Sequence, residues 1–276
     1  MIVAIQGGNA SFHDIAARNY FPNLKETIKC NTFREVFENL KSGKASHALL
    51  AIENTIAGSI LGNYTLMQEY GFPIVGEVRL RIIMCLMALK GQKIEDLNLV
   101  KSHYMALLQC TEFLEQYPNI KVEEFHDTAD SAKDIKEKNL FGVGAIAGKY
   151  AAELYDLDLL AESIETFKMN FTRFLVLSAH KDEVVENPNK ASLCIVLNDK
   201  PGALSKVLRQ FDEHGINLTK IQSIPLLGSL DKYTFYIDCE WENKLNFEKS
   251  IESIRPLTSE LIQLGIYQKG EVIYGN

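Results

Sequence analysis

The chain has 276 residues, of which 46% are hydrophobic and 24% are charged, and its formal net charge at pH 7 is −7. These proportions are those of an ordinary globular protein and exclude a disordered or fibrous chain. The acidic balance and the lack of a Lys/Arg cluster disfavour binding to nucleic acid or to an anionic membrane. The length exceeds the usual single-domain size and predicts two domains.

The N-terminal sequence predicts a strand that enters a glycine turn. Residues 1–7 lack the basic start and the long apolar core of a signal peptide. No apolar run is long enough to span a bilayer. We therefore expect a cytoplasmic protein without membrane contact. The five cysteines are odd in number and include no CxxC pair, which favours reduced core thiols over disulfides or metal ligands.

Strand-like and amphipathic helical segments alternate through the first two-thirds of the chain. Strands are predicted near residues 2–5, 48–52, 99–101, 122–125 and 141–146. Helices are predicted after residue 11, after a capping box formed by Thr32 and Glu35, near residues 106–114 and from residue 128. The alternation favours α/β layers with largely parallel sheets. The extended segment 74–88 can carry the chain from one sheet to another, which predicts two lobes with a cleft, as in periplasmic binding proteins.

A polar segment separates this region from a second one. Residues 179–190 are mostly polar or charged and contain Pro188, as a linker does. From Ser192 the pattern predicts the βαββαβ order of a ferredoxin-like domain. We predict an α/β domain over residues 1–180, a linker over 181–191 and a second domain over 192–276. The lobes of the first domain are expected to comprise residues 1–75 with 165–180, and residues 76–164.

Four segments, taken together in order and spacing, resemble the prephenate dehydratase family. They are residues 53–58 (ENTIAG), the pairs Ser102-His103, Ala106-Leu107 and Gln109-Cys110, residues 127–129 (DTA) and residues 170–174 (NFTRF). With the N-terminal glycine turn and the C-terminal domain, the resemblance covers nearly the whole chain. It implies an enzyme that removes carbon dioxide and the ring hydroxyl from prephenate, giving phenylpyruvate for phenylalanine synthesis. The chemistry implies no metal and no cofactor.

The resemblance places the family's catalytic threonine at Thr172. A threonine hydroxyl is a very weak acid, so we interpret it as an oriented hydrogen-bond donor to the leaving oxygen. Arg173 offers a planar guanidinium suited to a substrate carboxylate. Because adjacent strand residues point to opposite faces, a salt bridge away from the substrate is the alternative for Arg173. The other substrate-binding residues that we expect are Asn54, Thr55, Ser102, Thr128 and Asn170.

Several of these residues stand where α/β sheets bind ligands. Asn54 and Thr55 follow a buried strand, and Ser102 ends another strand just before a helix. Thr128 follows Asp127 at a helix start, where it can cap the helix, bind a carboxylate or do both. Ordinary turn and cap chemistry is the alternative at each position.

The sequence departs from the family pattern at two places near this site. Tyr104 and Met105 follow Ser102-His103 where the family usually has proline and glutamine, which affects the shape of the loop. His13 stands where the family usually has a serine. It either assists substrate binding and titrates near neutrality or has only a structural role.

The C-terminal domain resembles the ACT domain that binds phenylalanine in this family. The matching segments are residues 202–204 (GAL) and 215–219 (GINLT). Gln222 and Ile224 stand where the family has glutamate and arginine, so the strength of inhibition by phenylalanine stays open. The resemblance implies a homodimer or homotetramer that L-phenylalanine inhibits. The expected phenylalanine-binding residues are Gly202, Ala203, Leu204, Asn217 and Ser223.

Three other functions compete with this interpretation. Residues 142–147 fit G-x-G-x-x-A, but the preceding segment is polar and helical, which argues against a nicotinamide-dependent dehydrogenase. A non-catalytic solute-binding or sensor protein has the same kind of cleft and differs by its lack of turnover. Arogenate dehydratase performs the same elimination on a substrate with an amino group in place of the keto group. The sequence leaves that choice open.

Overall fold

The computed structural model describes residues 1–226 and 232–274. The chain is a mixed α/β protein whose described strands form two sheets. It divides into two compact units. The first unit comprises residues 1–70, residues 78–175 and the segment from residue 271 onwards, and the second comprises residues 71–77 and 176–270.

The described strands and helices are numbered in chain order. Strands β1 to β16 are Ile2–Gln6, Glu26–Cys30, His47–Asn54, Gly58–Ser59, Ile74–Arg81, Cys85–Ala88, Leu99–Ser102, Lys121–Glu124, Val143–Ala147, Asp158–Ala161, Phe171–Ser178, Lys190–Asn198, Asn217–Pro225, Lys232–Glu240, Glu260–Tyr267 and Val272–Ile273. Helices α1 to α9 are Phe12–Tyr20, Phe33–Lys41, Leu61–Tyr70, Tyr104–Gln109, Thr111–Leu114, Thr128–Glu137, Lys149–Leu154, Ala203–Glu213 and Lys244–Ile254. Short 3₁₀ turns lie at Ile94–Asp96 and Arg255–Leu257.

Strand β1 organises the first sheet of the first unit. It pairs in parallel with β2 on one side and with β3 on the other, and β11 lies beside β3. All five residues of the segment 48–52 (ALLAI) in β3 are buried. A continuous apolar run of this kind is expected of a parallel strand that is covered on both faces.

The second sheet of the first unit has the order β10-β6-β9-β7-β8. Strands β5 and β6 lie in different sheets, as predicted for residues 74–88. Strand β7 is parallel to β8 and β9, whereas β6 is antiparallel to β9 and β10. The prediction of largely parallel sheets is therefore wrong for this sheet. The reason is that β6 enters directly from another sheet and not through a helical crossover.

The predicted helix starts in the first unit are largely confirmed, with two differences in the caps. The Thr32 hydroxyl accepts from the backbone N–H of Glu35, as predicted. The Glu35 carboxylate accepts from the backbone N–H of Asn31 at 2.8 Å, one residue before the position that a capping box requires. Helix α6 is capped by Asp127, so the hypothesis that Thr128 caps it is wrong.

The second unit contains the predicted element order β-α-β-β-α-β, from β12 to β15. Strand β12 pairs antiparallel with β14 and β15, and β13 pairs antiparallel with β14. The strand β12 begins at Lys190, two residues before the predicted start at Ser192. Lys190 is fully buried at the start of this strand. The apolar residues of α8 and α9 join those of the strands in one buried cluster that includes Val207, Phe211, Phe247 and Ile251.

Two further observations concern the cysteines and the helices. All five cysteines are free and buried. Within residues 1–226 and 232–274, no helix combines the length and the apolar composition needed to cross a membrane.

Candidate functional site

A cavity of about 490 Å³, here called the first cavity, lies at one edge of the strands of the first unit. Its lining includes residues that end or follow β1, β2, β3, β7 and β8, namely Gln6, Asn31, Asn54, His103 and His126. Both sheets of the unit therefore contribute to it. The carboxyl ends of parallel strands are where α/β proteins bind ligands, and the volume is typical of small-molecule sites.

Four helices begin at the first cavity. Their cap residues, Ser11, Thr32, His103 and Asp127, all belong to its lining. A helix N-terminus carries partial positive charge and favours an anion by about 0.3–1 kcal/mol. Among the described residues that line this cavity, none is a lysine or an arginine. The helix ends are therefore its main source of positive potential.

The Thr172 hydroxyl is held by an amide at the start of β11. Asn54 Nδ2 donates to Thr172 Oγ1 at 3.0 Å and to Asn170 Oδ1 at 2.7 Å. Asn54 Oδ1 accepts from the backbone N–H groups of Ile56 and Ala57, each at 2.9 Å, which fixes the orientation of the amide. Because Thr172 Oγ1 accepts from Asn54, its own proton remains available for a ligand in the cavity.

Asn170 and Thr55 stabilise the same segment through hydrogen bonds outside the first cavity. The fully buried Asn170 donates through Nδ2 to Gln109 Oε1 at 2.8 Å, which ties the segment before β11 to the last residue of α4. Thr55 Oγ1 accepts from the backbone N–H of Phe171 at 2.9 Å and donates to the carbonyl of Met169 at 3.0 Å. Neither Asn170 nor Thr55 lines the first cavity, whereas Gln109 does.

Arg173 does not line the first cavity either. Its side chain is 4% exposed, and its Nη1 lies 3.4 Å from Glu53 Oε1. This placement follows the alternation of strand residues, since Thr172 and Phe174 on either side of Arg173 do line the cavity. The salt-bridge alternative therefore describes Arg173, and direct contact with a ligand does not.

Ser102 is the fourth predicted residue outside the cavity lining. It is fully buried, and its hydroxyl donates to the carbonyl of Ile146 at 2.5 Å, which joins β7 to β9. The next residue, His103, lines the cavity instead, and its Nδ1 accepts from the backbone N–H of Met105. Three predicted residues line the cavity directly: Asn54, Thr128 and Thr172.

His13 forms a neutral part of the cavity wall. Its Nε2 accepts from the backbone N–H of Ala51 at 3.3 Å, and its ring packs edge-on against Phe174 at a centroid distance of 4.9 Å. Burial lowers the pKa of His13 to about 3. The hypothesis that His13 titrates near neutrality is therefore wrong, and an anion in the cavity receives no charge from it.

Gly7 is required where the N-terminal turn approaches α6. Its φ is +93°, which favours glycine, and a Cβ on it would lie 2.9 Å from Asp127 Oδ2. Asp127 Oδ1 accepts from the backbone N–H groups of Ala129 and Asp130. Burial raises the pKa of the Asp127 carboxyl. In the sequence, Asp127 belongs to the DTA motif, and its position between a predicted strand and a predicted helix is the signal for its place at the cavity.

The described residues give no support to metal or dinucleotide binding. No group of three or more His, Cys, Asp or Glu side chains with the geometry of a metal site occurs within residues 1–226 and 232–274. Gly142, with φ +75°, precedes β9, and Gly144 lies inside that strand. A dinucleotide fingerprint needs its glycines after a strand, so this segment does not form one.

Comparisons with known proteins identify related sequences. The family model described as prephenate dehydratase matches residues 3–182. Arogenate dehydratase 2 of Petunia hybrida is 39% identical over 255 residues, which cover 86% of this chain and 64% of that protein. The bifunctional chorismate mutase/prephenate dehydratase of Aquifex aeolicus is 36% identical over 271 residues, which cover 97% of this chain and 73% of that protein. The chain thus spans less than two thirds of the petunia protein.

Two solved structures resemble nearly the whole chain. One, described as a novel type of quorum quenching acylase, has a TM-score of 0.88 and 28% identity and covers 98% of both chains. The other is a prephenate dehydratase from Arthrobacter aurescens in complex with L-Phe. Its TM-score is 0.87 at 25% identity, covering 98% of this chain and 90% of that one. From the extent of the family match and the identity to the Aquifex relative, the chain belongs to the prephenate dehydratase family.

Proposed function

We propose that the chain converts prephenate to phenylpyruvate in phenylalanine synthesis. The observation that carries this proposal is the Thr172 hydroxyl, which accepts from Asn54 and keeps its proton for an oxygen in the first cavity. Membership of the prephenate dehydratase family supports the class of reaction. Thr172 is the catalytic residue in this proposal.

The reaction requires a site that positions the substrate and stabilises one leaving oxygen. The C–C bond to the ring carboxylate breaks, and carbon dioxide departs while the electron pair stays in the ring. The pair completes the aromatic ring as the ring hydroxyl takes up a proton and leaves as water. Aromatisation supplies much of the driving force, so the site has to hold both carboxylates and donate a hydrogen bond to the departing oxygen. The Thr172 hydroxyl donates that bond.

We assign the substrate carboxylates to the helix ends at the first cavity. The starts of α1 and α2 offer backbone N–H groups and positive potential, and Thr128 at the start of α6 offers a hydroxyl. The apolar part of the lining, which includes Phe33, Ile82 and Met84, suits the ring. Asn54 orients Thr172, and the remaining predicted residues stabilise the site without touching the substrate: Thr55, Ser102, Asn170 and Arg173.

The same site could act on arogenate, because the substrates differ only in a keto or an amino group beside the side-chain carboxylate. The petunia relative is named an arogenate dehydratase. The test is to assay the purified chain on both substrates side by side and to follow phenylpyruvate or phenylalanine. We expect the larger kcat/KM with prephenate. A larger value with arogenate would assign the alternative activity, and turnover of neither would leave a non-catalytic solute-binding role.

We also propose that residues 192–276 form an ACT domain, after an α/β catalytic domain over residues 1–180 and a linker over 181–191. The βαββαβ order supports this, and the Arthrobacter relative was solved in complex with L-Phe. L-phenylalanine binds between subunits of a homodimer or homotetramer in this proposal. Gly202, with φ +79°, precedes Ala203 and Leu204 at the start of α8, and β13 carries Asn217 and Ser223.

Inhibition by phenylalanine tests the regulatory proposal. We expect Asn217→Ala and Ser223→Ala to raise the concentration of phenylalanine for half-inhibition roughly 10-fold, with kcat unchanged in its absence. Ser253→Ala, a partly exposed serine of α9, is the matched control. Unchanged sensitivity in both variants would contradict the proposed site. Sedimentation of the wild-type chain decides between dimer and tetramer.

Point variants are preferable to a truncation for this purpose. A chain that ends near Asn187 would lose β16, which pairs with β5 within the first unit. It would also leave the buried Glu77 carboxylate without Lys190, its ion-pair partner. Loss of activity after such a cut would therefore not distinguish a regulatory role from a structural one.

A further inference from the structure

A second cavity, of about 530 Å³, lies beside the first one in the first unit. Phe12 lines both, and the two linings share no other residue. The lining of the second cavity includes three cationic side chains from three different elements, Arg18 of α1, Arg81 of β5 and Lys149 of α7. The chain has a net charge of −7, so this cationic lining is a local feature.

Two of the three cations have carboxylate partners. Arg18 Nε donates to Asp14 Oδ2 at 3.1 Å, and Lys149 Nζ lies 3.2 Å from Glu162 Oε1. Arg81 differs, because its buried Nε has no hydrogen-bond acceptor among the described residues. A buried donor without a partner costs about 1–3 kcal/mol. An anion in the cavity would give the Arg81 guanidinium a charged partner.

The rest of the lining is mostly apolar. Phe12 and Ile15 come from α1, Leu80 and Ile83 from β5 and the residues after it, and Tyr150 from α7. Aromatic and aliphatic walls favour a flat hydrophobic group, and the cations favour one anionic group attached to it. A ligand with an ammonium group would meet three cationic side chains against one carboxylate in the lining, that of Glu162, which separates this chemistry from that of an amino acid.

We propose that the second cavity is a binding site for a small aromatic carboxylate. The carboxylate accepts from the planar guanidinium of Arg81, which offers paired donors, and is attracted by Lys149 across the cavity. The ring packs against Phe12 and Tyr150. The site is independent of the reaction in the first cavity, since none of its charged residues lines that cavity.

Titration calorimetry on the full chain tests the proposal with two probes that share a phenyl ring, 3-phenylpropionate and 2-phenylethylamine. We expect the carboxylate to bind with a Kd on the order of 1 mM or lower and the amine not to bind in this range. Arg81→Met and Lys149→Met each should weaken binding of the carboxylate by about 10-fold or more. The Lys149 side chain is 42% exposed, so that variant should fold even if Arg81→Met does not.

Arg34→Met is the matched control, because Arg34 is an exposed arginine of the same unit that pairs with Glu69 outside both cavities. It should bind the carboxylate as the wild type does. Wild-type affinity in both the Arg81 and the Lys149 variants would overturn the proposal. Equal binding of the amine, or no binding of the carboxylate to the wild-type chain, would overturn it as well.

Discussion

Two buried polar clusters in this chain are built from different chemistry. The cluster at the first cavity consists of neutral side chains, those of Asn54, Gln109, Asn170 and Thr172. The cluster in the second unit is ionic. Lys190 Nζ lies 2.8 Å from Glu77 Oε1 and 3.2 Å from Glu240 Oε1. Lys190 and Glu77 are both fully buried.

The difference shows how burial can serve reactivity or stability. In the ionic cluster the charges are matched within the protein, and the backbone N–H of Gly270 also donates to Glu77. In the neutral cluster one donor, the Thr172 hydroxyl, is oriented by Asn54 and remains available to a ligand. Neutral partners fix that hydroxyl without the cost of a buried charge.

Lys190→Met should give the largest effect. The change removes the cation that pairs with the buried Glu77 carboxylate, and breaking a buried ion pair from one side typically costs about 3–5 kcal/mol. Denaturant unfolding measures the loss. Lys269→Met is the control, because its half-exposed amine pairs with Glu240 at 2.7 Å and should contribute less than about 1 kcal/mol. Equal losses in the two variants would refute a special role for the buried member of the cluster.

Thr172→Val tests the donor of the neutral cluster. The change keeps the shape of the side chain and removes the hydroxyl, so kcat should fall about 10²–10³-fold while KM changes little. Steady-state kinetics on folded protein measure this. Thr166→Val is the matched control, because the Thr166 hydroxyl is buried and has no hydrogen-bond partner among the described residues. Wild-type kcat in Thr172→Val would remove Thr172 from the mechanism.

Asn54→Asp tests the direction of the hydrogen bond to Thr172. The carboxylate can still accept from Ile56 and Ala57, but it cannot donate to Thr172 Oγ1. The hydroxyl would then give its proton to residue 54, and kcat should fall about 10–100-fold. Asn23→Asp, an exposed site between α1 and β2, controls for the added charge. Full activity in the Asn54 variant would show that the direction of this bond does not matter.

The sequence predicted which segments meet at the first cavity better than which side chains face it. The motif segments follow strands, and parallel strands bring their carboxyl ends to one edge. The facing of a side chain depends on register, which changes with a shift of one residue. Ser102 therefore lies inside the sheet while His103 lines the cavity. Gln109 meets Asn170 across 61 residues of chain, and no local pattern reveals that contact.

The burial of Lys190 could not be predicted from the sequence either, because it depends on a partner far away in the chain. A lysine after a polar segment is usually exposed, and Lys190 was assigned to the linker for that reason. Its partner Glu77 lies 113 residues earlier in the chain. The antiparallel β6 was missed because strand direction depends on how the chain enters the second sheet, and the alternation of strands and helices does not report this.

His13 should have the smallest effect of all on the free energy of unfolding near neutral pH. Its contribution becomes measurable only in acid. Its pKa is about 3 in the folded protein because of burial, against an ordinary histidine value of 6.5. Above pH 6.5 the imidazole is neutral in both states and adds no pH dependence. Below that value the unfolded chain binds a proton that the folded chain excludes. Stability is therefore lost as the pH falls towards 3, by on the order of 1 kcal/mol per pH unit.

Unfolding free energies of the wild type and His13→Gln, measured from neutral pH down to about pH 5, test this expectation. A glutamine oxygen can still accept from the Ala51 N–H but cannot titrate, so the stability of the variant should fall less steeply in acid. Parallel curves for His13→Gln and the wild type would mean that His13 is protonated in the folded protein. The neutral character of the cavity wall, and with it the contrast to the ionic cluster around Lys190, would then be lost.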